Sequence, residues 1–271
     1  MRNALVLVVD KKYQKYIPYY ACFASELNNS CDIKIFSPGS KIDDRIKELV
    51  SSVGIDVVFD EDFFSKYDTS NPHLLKSLRW IINQDMVSGY NNIYIGDVDI
   101  LLCKEEDDLF VQHLNHCEKT QLPYSNSVRN IDPTKKRLTG LHFIKCEEYY
   151  EQTRATIEKY SRQLMQSGTR FHNEQNLYEI IRQSGLGFPE KWWRPHHGIH
   201  LGLWRKGAVK ISPLQWSVNN REQYKAYYQC FLEMKRTSDF LRTLCEEFPI
   251  KEIKNMEISL RKEFENEELV G

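Results

Sequence analysis

Two aspartates separated by one residue, Asp97 and Asp99, end the apolar run Ile93-Tyr94-Ile95-Gly96 and are followed at once by Ile100-Leu101-Leu102. In an extended strand side chains alternate between faces, so carboxylates at i and i+2 point the same way. Two unpartnered carboxylates inside a core carry a large desolvation cost. A divalent cation removes that cost, and hard oxygen donors at a strand end suit Mg²⁺ or Mn²⁺ holding a substrate's phosphates. The competing reading is a strand-to-turn junction in which aspartate serves turn geometry. The apolar runs on both sides place the pair inside the molecule and favour the metal.

An interior strand end must be positioned by a sheet, and the first half of the chain alternates strand and helix signals. Residues 4–9 are a continuous apolar run, as in a strand covered on both faces. Residues 16–27 have helical spacing, with Pro18 tolerated in the first turn. A strand over 32–36 closes at Ser37-Pro38-Gly39-Ser40, a helix spans 42–50, and a third strand spans 55–59. The spacing predicts one helix over 72–86, opened by Asn71-Pro72, before the fourth strand at 93–95. Strands separated by helices in this order imply a parallel sheet with helices on its faces.

The second half is less regular. A strand is expected at 140–145, helices at 147–165 and 173–182, and an irregular stretch rich in Trp, His and Gly over 191–206. A helix or helix pair spans 222–248, and 251–269 reads as a charged tail helix with a solvated face or assembly surface. Trp192 and Trp193 are expected to pack as a lid on the core, with a stacking platform for a sugar as the alternative. No repeat or low-complexity linker divides the chain, so we expect a catalytic part over 1–215 with a helical extension, 216–271, packed on it.

A four-strand α/β half ending in an acidic pair resembles the GT-A nucleotide-sugar glycosyltransferases, and Asp97-Val98-Asp99 resembles their DxD motif. The chain is similar to the retaining group around family 8 over about residues 4–206. The resemblance implies a Rossmann-like, mixed but mostly parallel sheet flanked by helices, with a helical C-terminal part. It implies that Asp10 and Tyr13, in Val8-Val9-Asp10-Lys11-Lys12-Tyr13, receive the nucleoside, and that Arg79, in Leu78-Arg79-Trp80, faces the donor with Asp97 and Val98. Thr139, Gly140 and His142, in Arg137-Leu138-Thr139-Gly140-Leu141-His142, would form the sugar and acceptor pocket. His142 on its own reads equally as a core histidine. Glu174 and Gln175, in Phe171-His172-Asn173-Glu174-Gln175, would lie beside the reacting carbon. His200, chosen over His197 because Gly202 and Arg205-Lys206 follow it, would join Asp97 and Asp99 on the metal, with Arg205 and Lys206 on the diphosphate. An imidazole ligand favours Mn²⁺ over Mg²⁺.

The expected activity is therefore metal-dependent transfer of a hexose from a nucleoside diphosphate sugar, UDP in the first instance, to a saccharide or lipid-linked acceptor, with retention. A haloacid-dehalogenase-type phosphatase and a non-catalytic nucleotide-sugar-binding module are the rivals. A net charge of −1 gives no general electrostatic case for nucleic acid as partner. Seven scattered cysteines without a CxxC pair argue for reduced thiols and, with no secretory signal and no spanning segment, for a cytosolic protein. Residues 223–243 mix aromatics with Lys235, Arg236 and Arg242, so peripheral contact with the inner face of a membrane is weighed against burial of the same helix.

Overall fold

The structure, a computed structural model, describes residues 2–27, 31–130, 136–167, 172–189, 192–207 and 221–264. Phe171, Lys191, the expected boundary at 215/216 and the tail after Phe264 lie outside the described residues.

A six-stranded sheet organises the fold in the order β3 (Val57–Asp60), β2 (Asp32–Phe36), β1 (Asn3–Val8), β4 (Asn92–Gly96), β9 (His142–Lys145) and β6 (Tyr124–Ser125). The first four strands are mutually parallel, while β9 runs antiparallel to both its neighbours. Central strand β1 is apolar from Ala4 to Val8 because each face of the sheet carries a core. Leu5 and Leu7 pack with α1 (Ile17–Ala24) and with α7 (Arg221–Thr237), α8 (Asp239–Glu247) and α9 (Lys251–Phe264). Ala4 and Val6, one residue out of phase, pack with α5 (Cys146–Ser167) and α6 (Asn173–Gln183).

The expected mixed, mostly parallel sheet is thus present, but two local expectations are corrected. The helix over 72–86 is broken: α3 (Pro72–Ser77) passes into a 3-10 turn, Leu78–Ile81, and ends where Ile82 turns extended, at φ −59° and ψ 119°. Asn71 caps α3, accepting from His73 N at 2.9 Å, with Pro72 in the first turn. The tail helix is no solvated face, because α9 buries Ile253, Met256, Leu260 and Phe264. The aromatic residues weighed for lipid contact also point inward: Tyr224, Tyr227, Tyr228 and Phe231 are all buried. No described helix is long and apolar enough to cross a membrane.

Between Leu102 and Gly140 the spacing predicts no strand or helix. The structure places α4 (Leu109–Thr120), capped by Asp108, strand β6, and a hairpin of β7 (Val128–Asn130) with β8 (Lys136–Leu138). Helix α2 (Asp44–Ser51) forms the β2–β3 crossover.

Two histidines are built into this core. His113 stacks on Phe143 and shares a hydrogen bond with Ser125 Oγ at 2.7 Å; His142 accepts from Asn126 Nδ2 at 3.0 Å. Burial pushes both rings down, His113 well below its ordinary value and His142 to about 3. The unfolded chain takes up a proton on each imidazole as pH falls through about 6.5, whereas the folded rings stay neutral. Stability is therefore full above that pH and is lost progressively on acidification. His142 alone should cost about 2 kcal/mol between pH 8 and pH 5. Chemical denaturation of the wild type and of His142→Gln at both pH values checks this: the variant should lose less stability on acidification.

Candidate active site

The carboxyl ends of β1 and β4 open into a cavity of about 780 Å³. Ligands of open α/β sheets bind at this edge, because the connecting loops there diverge and leave a crevice. Asp10, just past β1, accepts from Tyr13 N at 3.1 Å and so closes the turn that presents Tyr13 to the cavity. The Arg205 guanidinium lies 4.9 Å from the centre of the Tyr13 ring.

Asp97 and Asp99 line this cavity with Val98, but not as strand residues. β4 ends at Gly96, and the acids occupy the turn leading to β5 (Ile100–Leu101). Strand alternation is therefore not what brings them to one cavity; the turn does.

What brings His200 to them is a two-stranded ribbon. β10 (Ile199–His200) pairs antiparallel with β5, aligning His200 with Ile100, and Leu201 N donates to Asp99 O at 2.7 Å. The ribbon closes only because position 198 is glycine: its φ is +78°, and a Cβ there would stand 1.8 Å from Leu101 O. Asn255 of α9 donates to Trp204 O at 2.9 Å, holding the 3-10 turn Leu201–Lys206 that carries Arg205.

Asp99 is the electrostatic centre. It is 3% exposed, its Oδ1 lies 3.3 Å from His200 Nε2, and its Oδ2 accepts from Arg205. Burial alone would raise its carboxyl, but the His200 and Arg205 charges outweigh that and hold it below the ordinary carboxylate range. The same carboxylate raises His200 against the opposing effect of burial. Asp97, more open, accepts from Arg79 Nη1 at 2.7 Å, and that nitrogen also donates to Gly140 O at 3.1 Å.

Among the described residues no three His, Cys, Asp or Glu side chains already stand as a closed metal set. The local geometry nonetheless fits a divalent ion. Two ligands at right angles on bonds of about 2.1 Å lie about 3 Å apart, close to the spacing of Asp99 Oδ1 and His200 Nε2. Gly202 leaves the necessary room: a Cβ there would lie 2.9 Å from His200 Nε2 and 3.1 Å from Asp99 Oδ2. Gly202→Ala, whose backbone needs no left-handed conformation, should raise the Mn²⁺ concentration for half-maximal binding roughly 10–100-fold with little change in melting temperature. Metal titration followed by intrinsic fluorescence reads this directly.

Other expected residues fall elsewhere. His197 is buried against Glu105, its Nδ1 2.8 Å from Oε1, and does not line the cavity. His142 is corrected from a substrate contact to a core residue, 1% exposed among Trp80, Tyr124 and Tyr149. Thr139 is likewise buried, its hydroxyl donating to Asn126 Oδ1 and accepting from Arg194 Nε at 2.8 Å, so it positions the strand rather than meeting substrate. Gln175 is spent on helix structure, its Oε1 accepting from His172 N at 3.1 Å in the capping box of α6. Lys206 is exposed and outside the cavity lining, unlike Arg205. Trp192 and Trp193 are 53% and 60% exposed and form no lid.

Glu174 stays near the acids: a Cβ on Gly140 would lie 3.5 Å from its Oε1, 3.7 Å from Asp97 Oδ2 and 3.9 Å from Arg79 Nη1. The sequence reading assigned no role to Lys76, which lines the cavity, or to Asn126, which pins Thr139 from inside the core. Nothing local marks either residue, since only folding brings Asn126 against Thr139.

No family model and no curated protein sequence matches this chain. Solved structures do. The galactosyltransferase LgtC, in complex with donor and acceptor sugar analogs, is 11% identical over 66% of this chain and 70% of its own, with a TM-score of 0.42. The apo-form glycosyltransferase GlyE of Streptococcus pneumoniae TIGR4 is 12% identical over 68% of this chain and 44% of its own, at 0.45. Core-mannan synthase A (CmsA/Ktr4) of Aspergillus fumigatus, in a Mn/GDP form, is 8% identical over 67% and 69%, at 0.50. With the parallel order β3-β2-β1-β4, the antiparallel β9 and the acidic turn at the end of β4, the chain has the GT-A glycosyltransferase fold.

Proposed function

We propose that this protein is a metal-dependent glycosyltransferase that moves a hexose from a UDP-sugar to a saccharide or lipid-linked acceptor with retention. The observation that carries this reading is the Asp99–His200 pair, 3.3 Å apart over Gly202, at the mouth of a cavity lined by Arg79 and Arg205. Asp99, His200 and Asp97 would hold the ion, Mn²⁺ for an imidazole-containing set. Such an ion supplies charge neutralisation to the departing diphosphate.

The chain's own groups do the rest. Asp10 and Tyr13 receive the nucleoside, and Arg205, braced on Tyr13, lies where phosphate charge develops. Arg79 holds Asp97 in place on one side and Gly140 O on the other, keeping the sugar end of the cavity rigid. Glu174 lies beside that end with its carboxylate bridged by arginines, suited to orienting a sugar hydroxyl; in the retaining reading the leaving phosphate takes the acceptor proton. All seven cysteines are free thiols, which fits a reducing compartment.

A screen of nucleotide sugars for UDP or GDP release, with Mn²⁺ and again with EDTA, tests the proposal. Metal-stimulated release from a UDP-sugar is expected. Mn²⁺-dependent UDP binding without any release, with or without acceptors, would instead identify a binding module. Inorganic phosphate released from simple phosphomonoesters would identify a phosphatase.

A further inference from the structure

Three guanidiniums converge beside the sugar end of the cavity with one carboxylate among them. Arg129 and Arg137 stand directly opposite each other across the β7–β8 ladder, an arrangement that like charges disfavour. Glu174 bridges them, Oε2 lying 3.1 Å from Arg137 Nε and Oε1 3.7 Å from Arg129 Nη1. Arg194 completes the group. Its Nε donates to Thr139 Oγ1 and its Nη1 to Pro195 O, and it makes no ion pair with a carboxylate among the described residues. Asp97, whose charge also reaches Arg194, forms its ion pair with Arg79. Among the described residues, Glu174 is therefore the one carboxylate that pairs with any of the three. Burial holds the Arg194 guanidinium below its ordinary value, with the Arg129 charge adding to that and Tyr94, Asp97 and Glu174 opposing it. Arg129 remains 43% exposed, so the cluster is reachable from solvent.

The cluster adjoins the reacting end of the site. Glu174 Oε1 and Asp97 Oδ2 both lie within 3.7 Å of the empty Cβ position of Gly140. Tyr13 and Asp10, at the other end, leave the arginines to whatever approaches from beyond the transferred sugar.

We infer that Arg129, Arg137 and Arg194 bind an anionic group, a carboxylate or phosphate, carried by the acceptor. The inference rests on the glycosyltransferase reading for the acceptor's role, and on the charge imbalance alone for the anion. Arginine forks pair with planar carboxylates and with phosphates through charge-assisted hydrogen bonds, and an incoming anion reduces the positive excess that Glu174 leaves.

Binding of glucose 6-phosphate, glucuronate and glucose, followed by saturation-transfer NMR at low salt, tests this without knowledge of the natural acceptor. The two anions should bind roughly ten-fold or more tighter than glucose. Arg129→Ala should remove most of that preference while leaving UDP–Mn²⁺ binding intact, and Glu174→Gln should strengthen it by removing the competing carboxylate. Equal binding of all three sugars overturns the inference. An Arg129-dependent preference for UDP-glucuronate over UDP-glucose, with no effect on the free sugars, places the anion on the transferred sugar and overturns the acceptor assignment. Failure of UDP to bind with Mn²⁺ overturns the glycosyltransferase reading and with it the acceptor's role, whereas failure of the sugar anions alone overturns only this inference.

Discussion

Asp99→Asn is expected to abolish metal stimulation of UDP release and to lower turnover roughly 10²–10³-fold, the loss typical of removing one preorganised charge-stabilising group. The residue is buried and carries both His200 and Arg205, so the neutral amide leaves the Arg205 guanidinium without its anion and His200 without its carboxylate partner. Some loss of stability accompanies the loss of activity, and Asp97→Asn separates the two effects. Asp97 is 28% exposed against 3% for Asp99 and has one cationic partner, Arg79, so its replacement should lower the melting temperature less than Asp99→Asn does. Turnover should still fall by orders of magnitude if both acids serve the same ion. Initial rates across a Mn²⁺ titration, with thermal melts on the same preparations, make the comparison. Full metal stimulation retained in the Asp97→Asn, Asp99→Asn double variant would rule out the proposed site.

Gly198→Ala should damage the protein almost as severely without touching a reacting group. A methyl at this position would overlap the Leu101 carbonyl, a backbone atom that cannot swing aside, and φ +78° is itself unfavourable for alanine. The β5–β10 ribbon has to part, carrying His200 away from Asp99. A cost of about 3 kcal/mol, or roughly 6–12 °C in melting temperature for a chain of this size, is expected. High-affinity Mn²⁺ binding should disappear while far-UV circular dichroism stays close to wild type, because the main sheet does not depend on the ribbon. Gly202→Ala fills the metal's space and leaves the ribbon paired. A variant pair in which only Gly198→Ala lowers the melting temperature would separate ribbon closure from room for the ion.

The parts of the fold that are legible in the chain are those whose burial is two-sided or strictly periodic. Residues 4–9 and 93–95 read as interior strands because both faces of β1 and β4 are covered, and Asn71-Pro72 reads as a helix start because capping is a local interaction. The strand–helix alternation implies that these strands run parallel, whereas their order around β1 is settled only by folding. The break after Ile81 is less legible, since Leu78, Trp80 and Ile81 keep helical apolar spacing while tertiary packing selects a 3-10 turn. The β7–β8 hairpin and the β5–β10 ribbon are shorter still, two or three residues each, and no periodicity can be read from so few.

The same division runs through the site. The amino-acid order alone determined that two acids close an interior strand after three strand–helix units, and that histidine, glycine and arginine follow in one late segment, because these are properties of neighbours in the chain. It could not determine that Gln175 caps a helix, that His142 and Thr139 face the core, or that Arg129 and Arg137 share one glutamate. Those outcomes depend on which side chain each group meets across the molecule. Pairing between strands distant in sequence, and the direction each side chain then faces, is decided only when the whole core closes.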